Sequence, residues 1–257
     1  MSDCVAIGVI PARWGSTRFP GKSLAMIAGK PLVVRVVERA MLAKRLKRVV
    51  VATDDVRIAA AVRGLAEVAM TRADHPSGTD RIAEAVAGAG ADVVVNIQGD
   101  EPMMDPALVD RLVAAMQADA GWDMGTAAAA VRDAGDLANP SVVKVVWDRD
   151  HRALYFSRHP IPFVRDSGGA VGPDGLHWRH IGLYAYRRAF LERLVKTPPC
   201  RIELAEKLEQ LRALYLGARM LVLETEAVGV GVDTPADVHY VESLLRCDRE
   251  RQGKSIP

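Results

Sequence analysis

The stretch that decides the fold is Pro11-Ala12-Arg13-Trp14-Gly15-Ser16-Thr17-Arg18-Phe19-Pro20-Gly21-Lys22, near the amino terminus. It directly follows residues 5–10, a short apolar run rich in β-branched side chains, which predicts a buried first strand. Open α/β sheets bind their ligands beyond the carboxyl ends of such strands. The stretch concentrates arginine, lysine, hydroxyl and glycine residues, which are the groups that hold phosphate oxygens. It therefore predicts a loop that binds a polyanion, with an ordinary solvated basic loop as the alternative.

Glycine spacing excludes two familiar phosphate-binding motifs for this loop. A dinucleotide-binding fingerprint needs G-x-G-x-x-G, which Gly15 and Gly21 cannot supply. A Walker A loop needs four residues between its glycines, whereas five separate Gly15 from Gly21. Pro20 also removes one of the backbone N–H groups that such a loop uses, and Pro31 limits the helix that would follow. The sequence therefore disfavours a P-loop ATPase.

Composition limits the class of protein. The 257 residues are 49% hydrophobic, which is enough for one large core or a core with an additional lobe. With 34 basic and 32 acidic side chains, the charge balance argues against a nucleic-acid partner. Three widely spaced cysteines without a C-x-x-C pattern are typical of reduced thiols. Because no signal segment or membrane-spanning apolar run is found, the prediction is a cytoplasmic protein without a membrane partner.

Predicted strands and helices alternate through the first hundred residues. After the first strand, apolar runs predict strands at 48–52, 67–70 and 92–98. Between them, capping residues and helical periodicity predict helices at 31–44, 54–65 and 79–87. This alternation predicts right-handed βαβ units and a mainly parallel sheet with helices on both faces.

The pattern of the second half is less regular. It predicts a helix beginning at Pro106, strands at 124–131 and 180–186, a hairpin of 142–147 with 153–156, and a loop at 165–177. Residues 203–216 are predicted to form one strong helix with Leu204, Leu208, Leu211 and Tyr215 at core spacing. A last strand at 220–224 and a helix after Asp233-Thr234-Pro235 complete the prediction. The fold class is therefore α/β, Rossmann-like, with a smaller lobe that contains the hairpin.

A candidate metal ligand follows the most apolar predicted strand, in Gln98-Gly99-Asp100-Glu101-Pro102. Its position at a strand end should place it at the same sheet edge as the basic loop. Mg²⁺ prefers one or two carboxylates together with phosphate oxygens, so Asp100 is a reasonable ligand. A turn in which Asp100 accepts bonds from backbone donors explains the same residues. The sequence leaves both interpretations open.

Six motifs together carry a resemblance to a known family, the 3-deoxy-D-manno-octulosonate (Kdo) cytidylyltransferases, also called CMP-Kdo synthetases. The resemblance covers about residue 5 to about residue 245, with Trp14 where tyrosine is common and Ser23 where proline is usual. The motifs are Ile10-Pro11-Ala12-Arg13 with Ser16, Arg18 and Pro20-Gly21-Lys22; Thr71-Arg72-Ala73-Asp74-His75 with Ser77-Gly78-Thr79; Gln98-Gly99-Asp100-Glu101-Pro102; Tyr155-Phe156-Ser157-Arg158; Glu206-Lys207-Leu208-Glu209-Gln210-Leu211-Arg212; and Gly231-Val232-Asp233-Thr234-Pro235.

The resemblance implies a nucleotidyltransferase that moves CMP from CTP to the anomeric hydroxyl of Kdo, releasing pyrophosphate and giving CMP-Kdo for lipopolysaccharide synthesis. It implies Mg²⁺ as cofactor and a homodimer. It also implies one nucleotidyltransferase domain over residues 1–257: residues 1–130 bind the nucleotide, 131–217 bind the sugar and form the dimer, and 218–245 return to the core sheet. Alternatives are a cytidylyltransferase for 8-amino-Kdo or an acylneuraminate, and a non-catalytic nucleotide-binding regulator.

The resemblance also implies roles for individual residues. CTP would be held by Arg13, Ser16, Arg18, Lys22, Thr71, Arg72, Ser77, Gly78 and Gln98. The sugar would be held by Gln98, Arg158, His180, Tyr184, Glu209 and Gln210. Asp100 and Asp233 would be the metal ligands, and the catalytic residues would be Lys22, Arg13, Asp100 and Asp233.

Ordinary structural roles remain as alternatives for several of these residues. Asp233 precedes Pro235 and is also suited to cap the last helix, as Ser77 is to cap an earlier one. His180 and Tyr184 are four residues apart on a predicted strand and so share one face, where both are common as core residues. Glu209 and Gln210 also fit the exposed face of a helix.

Overall fold

The computed structural model describes residues 4–15, 19–167 and 175–251. Within these residues the strands are β1 Ala6–Ala12, β2 Met26–Ile27, β3 Lys30–Pro31, β4 Arg48–Thr53, β5 Glu67–Met70, β6 Val93–Asn96, β7 Met124–Ala130, β8 Lys144–Trp147, β9 Ala153–Ser157, β10 Trp178–Arg187 and β11 Met220–Glu224. The α-helices are α1 Leu32–Ala40, α2 Val56–Ala61, α3 Gly78–Ala85, α4 Pro106–Ala118, α5 Ala134–Ala138, α6 Arg188–Lys196, α7 Arg201–Glu206, α8 Gln210–Tyr215 and α9 Pro235–Arg251. Two short 3₁₀ helices are Lys22–Leu24 and Arg165–Ser167.

The chain divides into two compact units. Unit 1 consists of Met1–Cys4, Asp92–Val95 and Arg111–Val228. Unit 2 consists of Val5–Ala91, Asn96–Asp110 and Gly229–Pro257. These limits differ from the divisions at residues 130 and 217 that the sequence suggested, and the single-domain prediction stays a prediction.

Parallel strands form the core of unit 2. Strand β1 pairs in parallel with β4, with Val9 opposite Val50, and β4 pairs in parallel with β5. The side chains of Ile7, Val9 and Ile10 have no exposed surface, as expected for a strand that is covered on both faces. Helices α1 and α3 pack on β1, and α2 and α3 pack on β4. The βαβ units that the alternating pattern predicted are therefore present.

Unit 1 is built around an antiparallel strand, β10. It pairs with β7, where His180 lies opposite Ala128, and with β8 on the other side. Strand β11 runs parallel to β7, and β8 forms the predicted hairpin with β9. The predicted fold class, an α/β protein with a mainly parallel sheet, flanking helices and a hairpin-containing part, is confirmed. Among the described residues, no helix has both the length and the apolar character needed to span a bilayer.

The single helix predicted for residues 203–216 is wrong. The chain forms α7 and α8 instead, and Lys207 between them has φ 52° and ψ 47°, in the left-handed region. The Arg158 guanidinium accounts for the break, because it binds the carbonyl oxygens of Glu206 at 2.6 Å and of Lys207 at 3.3 Å. A continuous helix would need those oxygens for its own backbone bonds. As a result Leu204 and Tyr215, predicted in the core, are 51% and 69% exposed, whereas Leu208 and Leu211 are buried.

Candidate functional site

A cavity of about 300 Å³ lies in unit 2 where several chain segments meet. The carboxyl end of β1, the first 3₁₀ helix, the amino end of α3 with the residues before it, the loop after β6 and the segment before α9 contribute to it. This is the sheet edge at which the sequence predicted a polyanion site. Its lining residues are Pro11, Arg13, Lys22, Ser23, His75, Pro76, Ser77, Gly78, Arg81, Gln98, Gly99, Asp100 and Asp233.

Lys22 joins the two predicted metal ligands. Its Nζ donates to Asp100 Oδ2 at 2.7 Å and to Asp233 Oδ1 at 3.1 Å. Burial by itself would lower the pKa of Lys22, but the charges and hydrogen bonds of Asp100 and Asp233 outweigh it and raise the pKa above its ordinary value. Lys22 therefore keeps its positive charge in this setting, and both carboxylates lie within reach of one small cation.

Backbone contacts fix the position of Asp100. Its carbonyl oxygen accepts a hydrogen bond of 2.9 Å from the amide of Val232, the residue before Asp233. Gly99 lies so close to β1 that an added Cβ would be 2.5 Å from the carbonyl oxygen of Pro11. Only glycine permits this approach without a backbone shift. The two carboxylates are thereby tied together and held against the end of β1.

The carboxylate of Asp237, in the first turn of α9, binds the backbone just before that helix. Its Oδ2 accepts hydrogen bonds from the amides of Asp233 at 2.9 Å and Thr234 at 2.7 Å. The bond from the Asp233 amide is the main cause that lowers the pKa of Asp237 below its ordinary value. The carboxylate of Asp233 bonds Lys22, and its alternative role as a cap of α9 stays a prediction.

Five of the residues predicted to bind CTP line this cavity: Arg13, Lys22, Ser77, Gly78 and Gln98. Ser77 also performs its alternative role, because its hydroxyl oxygen caps α3 by accepting from the amide of Asp80 at 3.2 Å. Lining the cavity and capping the helix are thus compatible for this side chain.

Thr71 and Arg72, also predicted to bind CTP, are not among the residues that line the cavity. Thr71 is buried behind the cavity, where its hydroxyl accepts a 2.5 Å hydrogen bond from Arg81. The side chain of Arg72 is 68% exposed and lies 3.5 Å from the Glu84 carboxylate. Ser16 and Arg18 lie outside the described residues.

Two ionisable side chains of the cavity wall, Arg81 and His75, were not among the predicted site residues. Arg81 is only 3% exposed, lines the cavity, and bonds Thr71 and the carboxylate of Asp54. It lies one turn after Gly78 in α3, and this i, i+3 spacing was a usable signal. His75, whose ring bonds Glu84, also lines the cavity. His75 lies close to Ser77 in the sequence, and this closeness could have predicted that it lines the cavity.

The predicted sugar-binding residues of unit 1 include two neighbouring rings, His180 and Tyr184, whose planes are tilted by 39°. The centroids of His180 and Tyr184 are 5.3 Å apart, and a register shift between Ile181 and Ala185 brings these strand residues together. The Nε2 atom of His180 lies 2.9 Å from the hydroxyl of Thr126. Burial lowers the pKa of His180 to about 3, so its imidazole is neutral at pH 7.

Three further residues predicted to bind the sugar, Arg158, Glu209 and Gln210, lie near α7 and α8. The Arg158 guanidinium is occupied by three carbonyl oxygens, those of Glu206, Lys207 and, at 2.8 Å, Pro140. Gln210 is 6% exposed, so its alternative as an exposed helix residue is wrong. Glu209 is half-buried, with its carboxylate 3.8 Å from Arg212. Gln98 belongs to unit 2, while the other five belong to unit 1.

Comparison with known proteins assigns the chain to a family. A family model described as Cytidylyltransferase matches residues 7–221. A 3-deoxy-manno-octulosonate cytidylyltransferase of Geobacter sulfurreducens is 50% identical over 93% of this chain and 98% of its own length. One of Syntrophobacter fumaroxidans is 52% identical, over 94% and 97%. This chain belongs to the 3-deoxy-manno-octulosonate cytidylyltransferase family.

Solved structures support the same assignment. A CMP:2-keto-3-deoxy-manno-octonic acid synthetase complexed with CTP is 42% identical, with a TM-score of 0.89 over 95% of this chain and 99% of that one. A cytidylyltransferase from Leptospira borgpetersenii is 19% identical, with a TM-score of 0.63 over 94% and 87%. At that identity, the second protein shares only the fold. The family resemblance predicted from the six motifs is therefore confirmed.

Proposed function

We propose that this chain transfers CMP from CTP to the anomeric hydroxyl of Kdo, releasing pyrophosphate and forming CMP-Kdo for lipopolysaccharide synthesis. The observation that carries the proposal is the Lys22 ammonium held between Asp100 and Asp233 in a cavity at the carboxyl end of β1. Membership in the family supports the choice of CTP and Kdo. Most of the wall residues are polar or charged, as expected for a triphosphate rather than for an apolar ligand.

In this proposal the protein contributes position and charge rather than a covalent step. The hydroxyl of Kdo gives up its proton to solvent and its oxygen forms a bond to the α-phosphorus, while the bond from that phosphorus to the pyrophosphate oxygen breaks. Arg13 and Lys22 neutralise charge on the phosphates, and Ser16 and Arg18 are proposed to assist them. Asp100 and Asp233 keep the Lys22 ammonium charged inside the cavity, where it is available to the phosphates. The walls formed by Ser77, Gly78 and Gln98 are proposed to hold the nucleoside, together with Thr71 and Arg72.

The carboxylates of Asp100 and Asp233 fit a Mg²⁺ site. Both bond the same Lys22 nitrogen, so they converge on one position, and hard divalent cations prefer such oxygen donors together with phosphate. When bound, Mg²⁺ would supply charge neutralisation on the triphosphate. We propose that Asp100 and Asp233 hold it, with Lys22 contacting the phosphates beside it.

The sugar is proposed to contact Gln98, Arg158, His180, Tyr184, Glu209 and Gln210. The neutral imidazole of His180 and the hydroxyl of Tyr184 suit a ligand rich in hydroxyl groups. Arg158 is proposed to act mainly by holding the α7–α8 connection, since three carbonyl oxygens already occupy its guanidinium.

Pyrophosphate release by the purified protein tests this function. The assay contains CTP and Mg²⁺ with Kdo, 8-amino-Kdo, N-acetylneuraminate or no sugar, and a parallel series contains EDTA. Release with Kdo that EDTA abolishes is the expected result. Release only with 8-amino-Kdo or N-acetylneuraminate would reassign the sugar, while CTP binding without release under any condition would favour the regulator.

A further inference from the structure

The Trp14 side chain links helix α2 to the start of the first 3₁₀ helix, all within unit 2. The guanidinium carbon of Arg57 lies 3.3 Å from the centroid of the Trp14 ring. The same ring covers Gly21, where an added Cβ would be 2.8 Å from Cη2 of Trp14. The Gly21 amide also donates a 3.2 Å hydrogen bond to the carbonyl oxygen of Trp14. Trp14 thus contacts Gly21 through both its ring and its backbone, and Arg57 packs on that ring.

Asp55 fixes the orientation of Arg57. Its Oδ1 accepts from the Arg57 amide at 2.8 Å and from Nε at 3.0 Å, while Oδ2 accepts from Nη2 at 2.6 Å. A carboxylate that binds two guanidinium nitrogens holds the guanidinium plane as well as its charge. The hydrogen bond from the Arg57 side chain is also the main cause that lowers the pKa of Asp55 to about 2. Arg57 therefore stacks on Trp14 in a set orientation.

The backbone conformation of Gly21 in turn sets the position of Lys22, the next residue. Its φ of 70° is in the left-handed region, and it directly precedes the 3₁₀ helix Lys22–Leu24. The Leu24 amide donates to the Gly21 carbonyl oxygen at 2.9 Å, and the Ala25 amide donates to that of Lys22 at 2.9 Å. A displacement of Gly21 would therefore move the backbone that carries the Lys22 ammonium.

We propose that Arg57 is a positioning residue for Lys22, acting through the chain of contacts Asp55, Arg57, Trp14 and Gly21. Among the described residues, the wall of the CTP cavity does not include Arg57, so its effect passes through Trp14 rather than through the nucleotide. Tryptophan suits this role because its face is the best aromatic partner for a guanidinium. The catalytic part of this inference rests on the proposed function.

Kinetics of single and double variants test the coupling. Arg57→Ala should lower kcat about tenfold and change the KM for CTP less than about threefold, because misplacing Lys22 weakens transition-state binding most. Arg57→Lys keeps the charge without the planar contact and should recover only part of the loss. Trp14→Leu keeps an apolar side chain over Gly21 but removes the aromatic face. Adding Arg57→Ala to Trp14→Leu should then cause no further loss.

Arg63→Ala is the matched control, because it removes an exposed positive charge just after α2. Its kcat should equal that of the unmodified protein. Two outcomes would overturn the proposal: an Arg63→Ala loss equal to that of Arg57→Ala, which would indicate general electrostatics, or single losses that multiply in the double variant, which would indicate independent action.

Hydrogen exchange separates this inference from the proposed function. In Arg57→Ala the amides of Gly21, Leu24 and Ala25 should exchange faster than in the unmodified protein, while Arg63→Ala leaves them unchanged. If the unmodified protein releases no pyrophosphate but exchange changes in this way, the function is wrong and the structural coupling stands. If activity with Kdo is present and both exchange and kcat of Arg57→Ala are normal, the coupling is wrong and the function stands.

Discussion

At residue 22, an ammonium group is bonded by two carboxylates that lie 78 and 211 positions away in the sequence. Both carboxylates are partly exposed, whereas the lysine side chain is mostly covered, at 17% exposure. Its charge is stabilised against burial by these partners. The proposed catalytic behaviour therefore depends on Asp100 and Asp233 in two ways, as proposed metal ligands and as groups that keep Lys22 charged and in place.

Replacing Asp100 with alanine is expected to lower the rate of pyrophosphate release at least about a hundredfold, the usual effect of removing an electrostatic stabiliser. The fold should remain, because the Asp100 side chain is partly exposed and its backbone bond from Val232 is kept. Turnover with CTP, Kdo and Mg²⁺ measures the loss, and circular dichroism checks the fold. Asp150→Ala, at a side chain that is 75% exposed, is the control. Normal turnover of Asp100→Ala would contradict the metal assignment.

Gly99→Ala is expected to reduce both stability and activity. The nearest atom to an added methyl group is a backbone oxygen of Pro11, which cannot rotate away, so the loop that carries Asp100 must shift. Overpacking of this kind costs about 1–3 kcal/mol of unfolding free energy. Denaturant unfolding and turnover measure the two effects. In the control, Gly231→Ala, the added methyl group meets no atom within 4 Å. Equal behaviour of the two variants would contradict the steric argument.

His180 should make stability depend on pH. Its pKa is about 3 in the folded protein and about 6.5 when unfolded, so between these values only the unfolded chain binds the proton. The contribution of His180 to the free energy of unfolding is therefore fully present above about pH 6.5 and is lost as the pH falls toward 3. The loss between pH 7 and pH 5 should be about 2 kcal/mol of unfolding free energy.

Denaturant unfolding of His180→Gln at pH 7 and pH 5 measures this contribution, because glutamine does not titrate. The decrease should be about 2 kcal/mol smaller in the variant than in the unmodified protein. His239→Gln is the control, since that side chain is 86% exposed. An unchanged pH dependence in His180→Gln would mean that the imidazole is not held neutral.

At the scale of elements, the α7–α8 break shows how one side chain can end a helix. Arg158 takes the carbonyl oxygens of residues 206 and 207, while the buried Arg212 bonds Glu203 across the break at 3.0 Å. The break brings Gln210 into the interior as the first residue of α8. The predicted sugar-binding pair of Glu209 and Gln210 is therefore positioned by tertiary contacts rather than by a continuous helix.

Lys207→Gly is expected to stabilise the protein by about 1 kcal/mol, since only glycine adopts the left-handed conformation without a steric penalty. The Lys207 side chain is exposed, so little packing is lost. Ala205→Gly, at an exposed position inside α7, should have the opposite sign and cost about 0.5–1 kcal/mol. Denaturant midpoints compare the two variants. If Lys207→Gly is less stable than the unmodified protein, the Lys207 side chain stabilises the folded state by more than its left-handed backbone conformation destabilises it.

At the scale of the whole molecule, the chain is predicted to form a homodimer through residues 131–217. Light scattering should then give twice the chain mass of 27.8 kDa. Leu154 on β9 is 58% exposed and Tyr215 is 69% exposed, and both would be suited to a surface covered by a second copy of the chain. Leu154→Lys should shift the mass toward one chain, whereas Val68→Lys on β5 of unit 2 should not. A single-chain mass for the unmodified protein would contradict the dimer.

Much of this fold could be predicted from local pattern. The strand at 67–70 and the strand at 220–224 have the predicted bounds, and Ser77 caps α3, which was its alternative role. Strand alternation and capping depend on near neighbours in the chain, so they are visible in the sequence. The missed break at Lys207 depends on Arg158, which is distant in sequence and therefore invisible to periodicity.

The sequence by itself determined the α/β class, the basic loop after β1 and, through six motifs in order, the family. Tertiary structure alone decided that Lys22 lies between Asp100 and Asp233 and that Arg81 and His75 enter the cavity. The physical reason is the separation along the chain over which each kind of interaction acts. Periodicity, capping and glycine spacing act over a few residues, whereas a site is made by charges and close backbone approaches between segments that meet only when the chain has folded.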